Sequence, residues 1–456
     1  MKIQKYYFAI LSILMLLIPA PLSAAKGGQG GGKPGGGGDG GGGTCEATSG
    51  VPALATLIDT SDAEPQPIVG TLNFDGYRIG SRAMDAVSRG SDVLVAVSSS
   101  STPNVDTSVN RVLVFTFTPG TSGTPGSWNF LQEIALGSGN GDYDLDTNDG
   151  MKLIDWDGNG LYDIVIASIS TDQAAIIWDV DGVSPSVDPL PVPADALTFG
   201  RSVGFGDVDG DGVGEVLVGD VGSDAVYVYH SSDALPDRLS SPEGGDFGQS
   251  IAVGPDGLYV GADAVNASSK QRGAGGVYHY PLPLSCFGGK PPYTCTPSTS
   301  PGFVTRAIKN ENLGHRLTLA NSSDVVTTPA INGNSIAVFP YGSTPSLNLP
   351  VPDFGMMDNV SAGDLDFFGS DEIATGTSNA GADSGQCYNV GAVTLFVDRD
   401  ETTPIVLRSN DVIDKDNLFF GRSTAIAGGY LFVGEMGRDI DGKGTDDGQI
   451  YVFSLP

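Results

Sequence analysis

The chain has 456 residues, 66 of them glycine and 29 proline, and a formal net charge of −31. That charge excludes nucleic acid and an anionic membrane surface as natural partners. The length suits either a large core or an array of repeats.

Residues 1–5 are short and basic, 6–18 are apolar, and Pro19 and Pro21 break the run. Ser23, Ala24 and Ala25 supply the small residues that signal peptidase needs. Residues 1–25 therefore read as a secretory signal peptide, too short for a membrane span with these flanks. No cysteine lies at the cleavage region, so no lipid anchor is expected. The expected location is secreted, or cell-envelope or periplasmic. No later segment is apolar enough to span a bilayer, so no membrane insertion is expected after signal removal. Residues 26–44 are glycine-rich, broken within by Gln29, Lys33, Pro34 and Asp39, and read as a flexible linker. The rest, 45–456, reads as one folded domain.

Short strand-like segments then recur. A unit opens with an apolar residue and glycine, as at Ile79-Gly80, Phe199-Gly200, Phe247-Gly248, Leu313-Gly314, Phe354-Gly355 and Phe420-Gly421. A seventh unit, around Asp155, has Thr147-Asn148 in that place. Each unit continues into a second apolar strand, a turn and a third strand such as VYVY at 226–229. A fourth short apolar segment lies between units, at 128–134, 303–308, 347–351 and 404–407. Seven units of four strands, spaced by roughly 40 to 60 residues, have the period of a β-propeller. The last unit stops after its third strand, while PIVGTL at 67–72 is a strand without a unit. The expected fold is all-β, a seven-bladed propeller closed by that N-terminal strand, which leaves no blade short of its outer edge.

The most informative stretch is GDVDGDGVGEVLVGD at 206–220. Asp207, Asp209 and Asp211 stand at positions 1, 3 and 5, Val213 offers a carbonyl at 7, and Glu215 stands at 9. Alternating acids on a glycine-rich turn supply the oxygens that a hard cation such as calcium takes. An Asp-Gly turn with no metal explains one copy as well. The spacing repeats, however, at Asp155, Asp157, Asn159, Leu161 and Asp163, and more weakly at Asp364, Asp366 and Glu372. In the third copy position 5 is Phe368, which cannot coordinate. Asp439, Asp441 and Asp447 have similar spacing but carry Lys443 at position 5, and read as a solvated acidic loop.

FGRSVGFGDVDGDGVGEVLVGD and FGRSTAIAGGYLFVGE resemble the FG-GAP repeats of integrin α chains, over about residues 67–456. The resemblance implies a seven-bladed propeller with calcium in the strand 1–2 loops of some blades. By position the ligands would be Asp155, Asp157, Asn159 and Asp163, then Asp207, Asp209, Asp211 and Glu215, with Leu161 and Val213 acting through carbonyls. Asp364, Asp366 and Glu372 form the incomplete third set. Blades one, four, five and seven lack the loop. The resemblance also implies a binding or adhesion role.

Of the four cysteines, Cys286 and Cys295 bracket a short loop and are the preferred pair, which leaves Cys45 for Cys387. Four cysteines permit three connectivities. Little points to catalysis. His230, His279 and His315 are spread over three units and read as edge packing or surface, no nucleophile elbow occurs, and no catalytic residue is assigned. Arg201 and Arg422 hold equivalent places and would line a channel mouth. The long connections at 98–110, 262–275, 378–391 and 435–448 all join strands 2 and 3 and so share one face. That face is expected to bind a protein or glycan ligand. The alternative is a propeller-fold polysaccharide lyase or hydrolase, which would gather Tyr, His, Arg and carboxylates at one end of the channel.

Overall fold

Second strands such as Asp92–Ser99, Asp163–Ser168 and Glu215–Asp220 are apolar on both faces because both faces are covered: all six residues of the latter two are buried. Each lies inside a blade whose neighbours pack on either side, so the in–out alternation of a one-sided sheet disappears. The computed structural model describes residues 79–99, 110–120, 126–136, 149–284, 286, 294–295, 301–305, 308–330, 335–340, 347–351, 357–378, 391–408, 419–437 and 448–455. The signal peptide, the glycine linker, the strand at 67–72, Cys45, Cys387, Phe354-Gly355, the acids between 438 and 447, and most of the connections 98–110, 378–391 and 435–448 lie outside the described residues.

Seven antiparallel sheets follow one another along the chain. Blade one is Ile79–Arg89, Asp92–Ser99, Arg111–Thr118 and Ser127–Ala135; blade two is Met151–Ile154, Asp163–Ser168, Gln173–Trp178 and Ser186–Pro189. Blade three is Phe199–Gly206, Glu215–Asp220, Ala225–Tyr229 and Asp237–Ser240; blade four is Phe247–Gly254, Gly257–Ala262, Gly276–Pro281 and Gly302–Val304. Blade five is Leu313–Ala320, Asp324–Pro329, Ser335–Phe339 and Leu347–Pro350; blade six is Asn359–Gly363, Glu372–Thr377, Ala392–Phe396 and Ile405–Leu407. Blade seven contributes Phe420–Ala427, Tyr430–Glu435 and Gln449–Phe453. Among the described residues the helical content is one 3-10 turn, Val397–Arg399, and no helix is long and apolar enough to cross a membrane.

The hydrophobic core is divided into seven clusters, each lying between two adjacent blades. One of them joins Ile79, Val93 and Phe115 of blade one to Phe432, Ile450 and Val452 of blade seven, which closes the ring. Backbone latches repeat at the same joints. Ser202 Oγ donates to the Gly248 carbonyl at 2.8 Å, Ser250 Oγ to Gly314 at 2.8 Å and Ser423 Oγ to Gly80 at 3.2 Å. The glycine of the opening dipeptide is required by this contact. Gly248 has φ 94, and a Cβ there would lie 2.6 Å from the Ala225 carbonyl oxygen.

Cys286 and Cys295 form a disulfide, with Cα atoms 5.1 Å apart. Thr294–Cys295 pairs in parallel with Arg238 and Leu239, adding a fifth strand to blade three from the chain of blade four. The bridge thus anchors a strap between two blades, and its effect is wider than closing its own short loop.

Candidate metal loops and channel mouth

Strand 1 of each blade lines the axis, where a cavity of about 330 Å³ is bounded by residues of all seven inner strands, among them Asp85, Lys152 and Thr318. The end of strand 1 leads to the strand 1–2 loops. Its start lies beside the end of strand 2, as in the pairs Phe199 with Asp220 and Phe420 with Glu435. The two faces of the ring therefore carry different chemistry.

Three strand 1–2 loops carry several acids each, in blades two, three and six, and all three are built alike. The residue at position 2 is buried: Trp156, Val208 and Leu365 are 6%, 0% and 2% exposed. Its N–H donates to the acid at position 9: Trp156 to Asp163 at 2.9 Å, Val208 to Glu215 at 2.8 Å, Leu365 to Glu372 at 2.6 Å. Carboxylates at positions 1 and 3 accept N–H groups from further round the turn, as Asp207 does from Gly210 and Gly212 and Asp209 from Asp211. Asp155 and Asp157, and likewise Asp364 and Asp366, do the same. At position 5, Asn159 and Asp211 accept the N–H groups of Leu161 and Val213.

The structure brings together Asp155, Asp157 and Asp163; Asp207, Asp209 and Asp211; Asp209, Glu215 and His230; and Asp364, Asp366 and Glu372, each set with ligating atoms within 4.8 Å of one another. Oxygen donors at this spacing fit a hard divalent cation. Asp155 Oδ1 is buried with no hydrogen-bond partner, as a ligand atom would be. Burial is also the first cause that pushes the Asp163 carboxyl up to about 6, against hydrogen bonds from Asp179 and Trp156. Glu372 is raised for the same leading reason.

A second contribution comes from the end of strand 3 and escapes a reading of loop motifs. Asp179 Oδ1 accepts Asn159 Nδ2 at 2.9 Å, and the Asp179 N–H donates to Asp163 at 3.0 Å. Asp398 accepts the Ser370 N–H at 3.1 Å and gives its own N–H to Glu372 at 3.2 Å. It brings a carboxylate to the loop in which Phe368 supplies none. In blade three the corresponding place holds His230, whose Nδ1 lies 3.6 Å from both Asp209 and Glu215 and whose Nε2 lies 3.2 Å from Asp237. Contact with Glu215, then with Asp237, pushes His230 up to about 9 despite its burial. The expected surface or edge role for His230 is thus replaced by a place inside the acidic loop. A signal was present: only in these three blades does an acid or histidine follow strand 3 within two residues, where the others have Pro119, Leu282, Pro340 and Ser454.

His279 is different. It lies within strand 3 of blade four, is 8% exposed, and packs on Tyr259 at 4.8 Å between ring centres. Arg201, His315, Arg316 and Arg422 meet at the strand-1 start, as the equivalent places of Arg201 and Arg422 predict. Arg201 Nε donates to Gln249 at 2.9 Å, and Gln249 Nε2 lies 2.9 Å from His315 Nδ1, which is also 2.8 Å from Asp263. Arg316 binds the Asp358 carbonyl at 2.7 Å and Asp149 at 3.2 Å, and Arg422 binds the Asp358 carboxylate at 2.9 Å. Burial, then Arg316, lowers the His315 pKa. This set of contacts links blades two to seven at the strand-1 start of the ring.

No family model matches the chain, and no curated protein matches it. Solved structures do. One is the structure of the Neurospora crassa Pan2 WD40 domain, 9% identical, with a TM-score of 0.50, covering 87% of this chain and 97% of that one. At that identity the likeness concerns the fold, a β-propeller.

Proposed function

We propose that this seven-bladed propeller is an exported, calcium-binding module of the FG-GAP, integrin α-like kind, which holds a protein or glycan ligand on the face of its strand 2–3 connections in a binding or adhesion role. The observation that carries the calcium reading is the threefold recurrence of one oxygen-rich loop on one frame. Asp155, Asp157, Asn159 and Asp163, with the Leu161 carbonyl, would hold the ion in blade two. Asp207, Asp209, Asp211 and Glu215, with the Val213 carbonyl, would hold it in blade three, and Asp364, Asp366 and Glu372 in blade six. An ion there neutralises carboxylates that otherwise crowd one turn, and so stiffens the ring. Binding is favoured over turnover because the polar groups at the mouth are engaged with one another, as structural ion pairs are.

One observation favours the second reading, a polysaccharide lyase or hydrolase: His315, Asp263, Arg316 and Arg422 do gather at one end of the channel. A glycan and protein binding screen, run with calcium and with chelator, separates the two. The binding reading expects a retained ligand, lost when residues 378–391 or 435–448 are shortened in a chain that still melts cooperatively. Release of unsaturated or reducing sugar ends from a polysaccharide, abolished by His315→Ala, would establish the enzyme instead.

A further inference from the structure

Blade three departs from the other two acidic loops in what its position-9 acid meets. In blades two and six the acids at positions 1, 3 and 9 come together, as Asp155, Asp157 and Asp163 do and as Asp364, Asp366 and Glu372 do. In blade three two sets share one residue. Asp207, Asp209 and Asp211 form the first, and Asp209, Glu215 and His230 form the second. Asp209 faces both ways: its Oδ1 accepts the Asp211 N–H at 3.0 Å, and its Oδ2 lies 3.6 Å from His230 Nδ1. The second set is thus a ring nitrogen with two carboxylates, not a ring of oxygens. Blades two and six have Asp179 and Asp398 in the place of His230 and offer no imidazole.

Spacing, orientation and access all bear on what this set can hold. His230 Nδ1 is 3.6 Å from both Asp209 Oδ2 and Glu215 Oε1. A tetrahedral zinc site with bonds of about 2.0–2.1 Å has ligand–ligand edges of about 3.3–3.4 Å, so a small displacement closes these atoms on one ion. The far ring nitrogen, Nε2, lies 3.2 Å from Asp237 Oδ2. Asp237 sits in strand 4, outside the ligating set, and is 1% exposed. A buried carboxylate that accepts the Nε2–H turns Nδ1 towards the set, as the outer carboxylate of a metal-bound histidine does. The Asp209 and Glu215 side chains are 8% and 2% exposed, against 25% for His230. Dry donors therefore stand beside a ring that solvent reaches, which gives an ion a way in.

We propose that Asp209, Glu215 and His230 of blade three form a site for a borderline divalent metal of the zinc class, with water completing its shell. Imidazole suits zinc and its neighbours in the first transition row, whereas calcium takes oxygens. The ion takes the place of a proton on Nδ1, so its binding releases a proton. It joins the strand 1–2 loop to the end of strand 3. The site goes beyond the calcium reading and does not rest on it, because it contains neither Asp207 nor Asp211 and has no counterpart in blades two and six. Zinc and calcium share Asp209 and Glu215, so in blade three they compete.

The test is calorimetric titration of the untagged full chain with zinc chloride, with and without calcium. The wild type should bind zinc with a saturable heat that calcium weakens. His230→Gln should abolish that heat and keep the rise in Tm that calcium gives through blades two and six. Asp237→Asn removes no ligand, yet should weaken zinc by about tenfold to a hundredfold. His315→Gln removes a histidine elsewhere and should leave zinc binding unchanged. Cobalt(II) added to the wild type should give the visible absorption of a four-coordinate site, a readout that needs no variant to fold. A wild type that takes up no zinc, His230→Gln that binds zinc as tightly as the wild type, or an equal loss in His315→Gln would each overturn the proposal, the first by leaving His230 as a fixed counter-charge to its carboxylates. Zinc binding beside a Tm indifferent to calcium would overturn the calcium reading and leave this one standing.

Discussion

The acidic loops of blades three and six stand on one frame and differ in what fills it. In both, a buried residue at position 2 binds the buried acid at position 9, and carboxylates at positions 1 and 3 accept the turn's N–H groups. Blade three then supplies Asp211 within the loop and His230 from strand 3, whereas blade six supplies Phe368 within the loop and Asp398 from beyond strand 3. The frame is thus separable from the donor set. At blade six a residue far along the chain, Asp398, is hydrogen-bonded to the loop whose own position 5 offers no polar side chain.

The largest expected effect breaks the shared frame. Glu215→Ala orphans the buried Val208 N–H, and Glu372→Ala orphans the buried Leu365 N–H and removes the acceptor of the half-buried Asp398 N–H. Each should cost about 1–3 kcal/mol in denaturant unfolding, with Glu372→Ala at the upper end. Equal and negligible losses would show that position 9 does not hold the loop. The reciprocal exchange comes next. Gly210→Phe meets both a left-handed backbone and the Pro283 side chain, 2.8 Å from where a Cβ would stand. It should lose about 1–2 kcal/mol or more, while Phe367→Gly should gain stability on the same scale, measured by urea midpoint.

Asp398→Ala sharpens the comparison of donors. It should weaken calcium binding at blade six by about tenfold, as a site short of one carboxylate does, and leave the blade-three loop unchanged. Calorimetric titration resolves the two. The smallest effect contrasts loop with mouth. Burial and Arg316 hold His315 below its ordinary value, so its neutral form is favoured in the fold. Its contribution is fully present above about pH 6.5 and is lost as pH falls through the lowered value. His315→Gln should flatten the acid limb of the stability curve below about pH 6.5.

The propeller was legible because its joints need particular residues. A glycine follows the opening apolar residue where the neighbouring blade's backbone passes, and doubly buried second strands read as unbroken apolar runs. The acidic loops were legible for the same local reason. Asp179, His230 and Asp398 were not, because they reach the loops from 15 to 34 residues away along the chain, and no loop spacing encodes that distance. The strap at Thr294–Cys295 was hidden likewise: the cysteine spacing indicates the bridge but says nothing of the blade that the bridged segment joins. Counting loop charges ranks Asp207 first, Asp155 second and Asp364 third. Asp179 and Asp398 stand hydrogen-bonded beside the blade-two and blade-six loops, outside the sets whose ligating atoms converge, while His230 lies within the blade-three set. These strand-3 neighbours narrow the difference that loop charge alone implies.

The most direct test of the calcium account is a thermal melt of the wild type, Asp157→Ala and Asp209→Ala in calcium, magnesium and chelator. Calcium should raise the wild-type Tm by mass action at about 10⁻⁴ to 10⁻³ M, with magnesium doing less, and each variant should lose a similar part of that rise. A wild-type Tm that is the same in calcium and in chelator would contradict the account for all three loops.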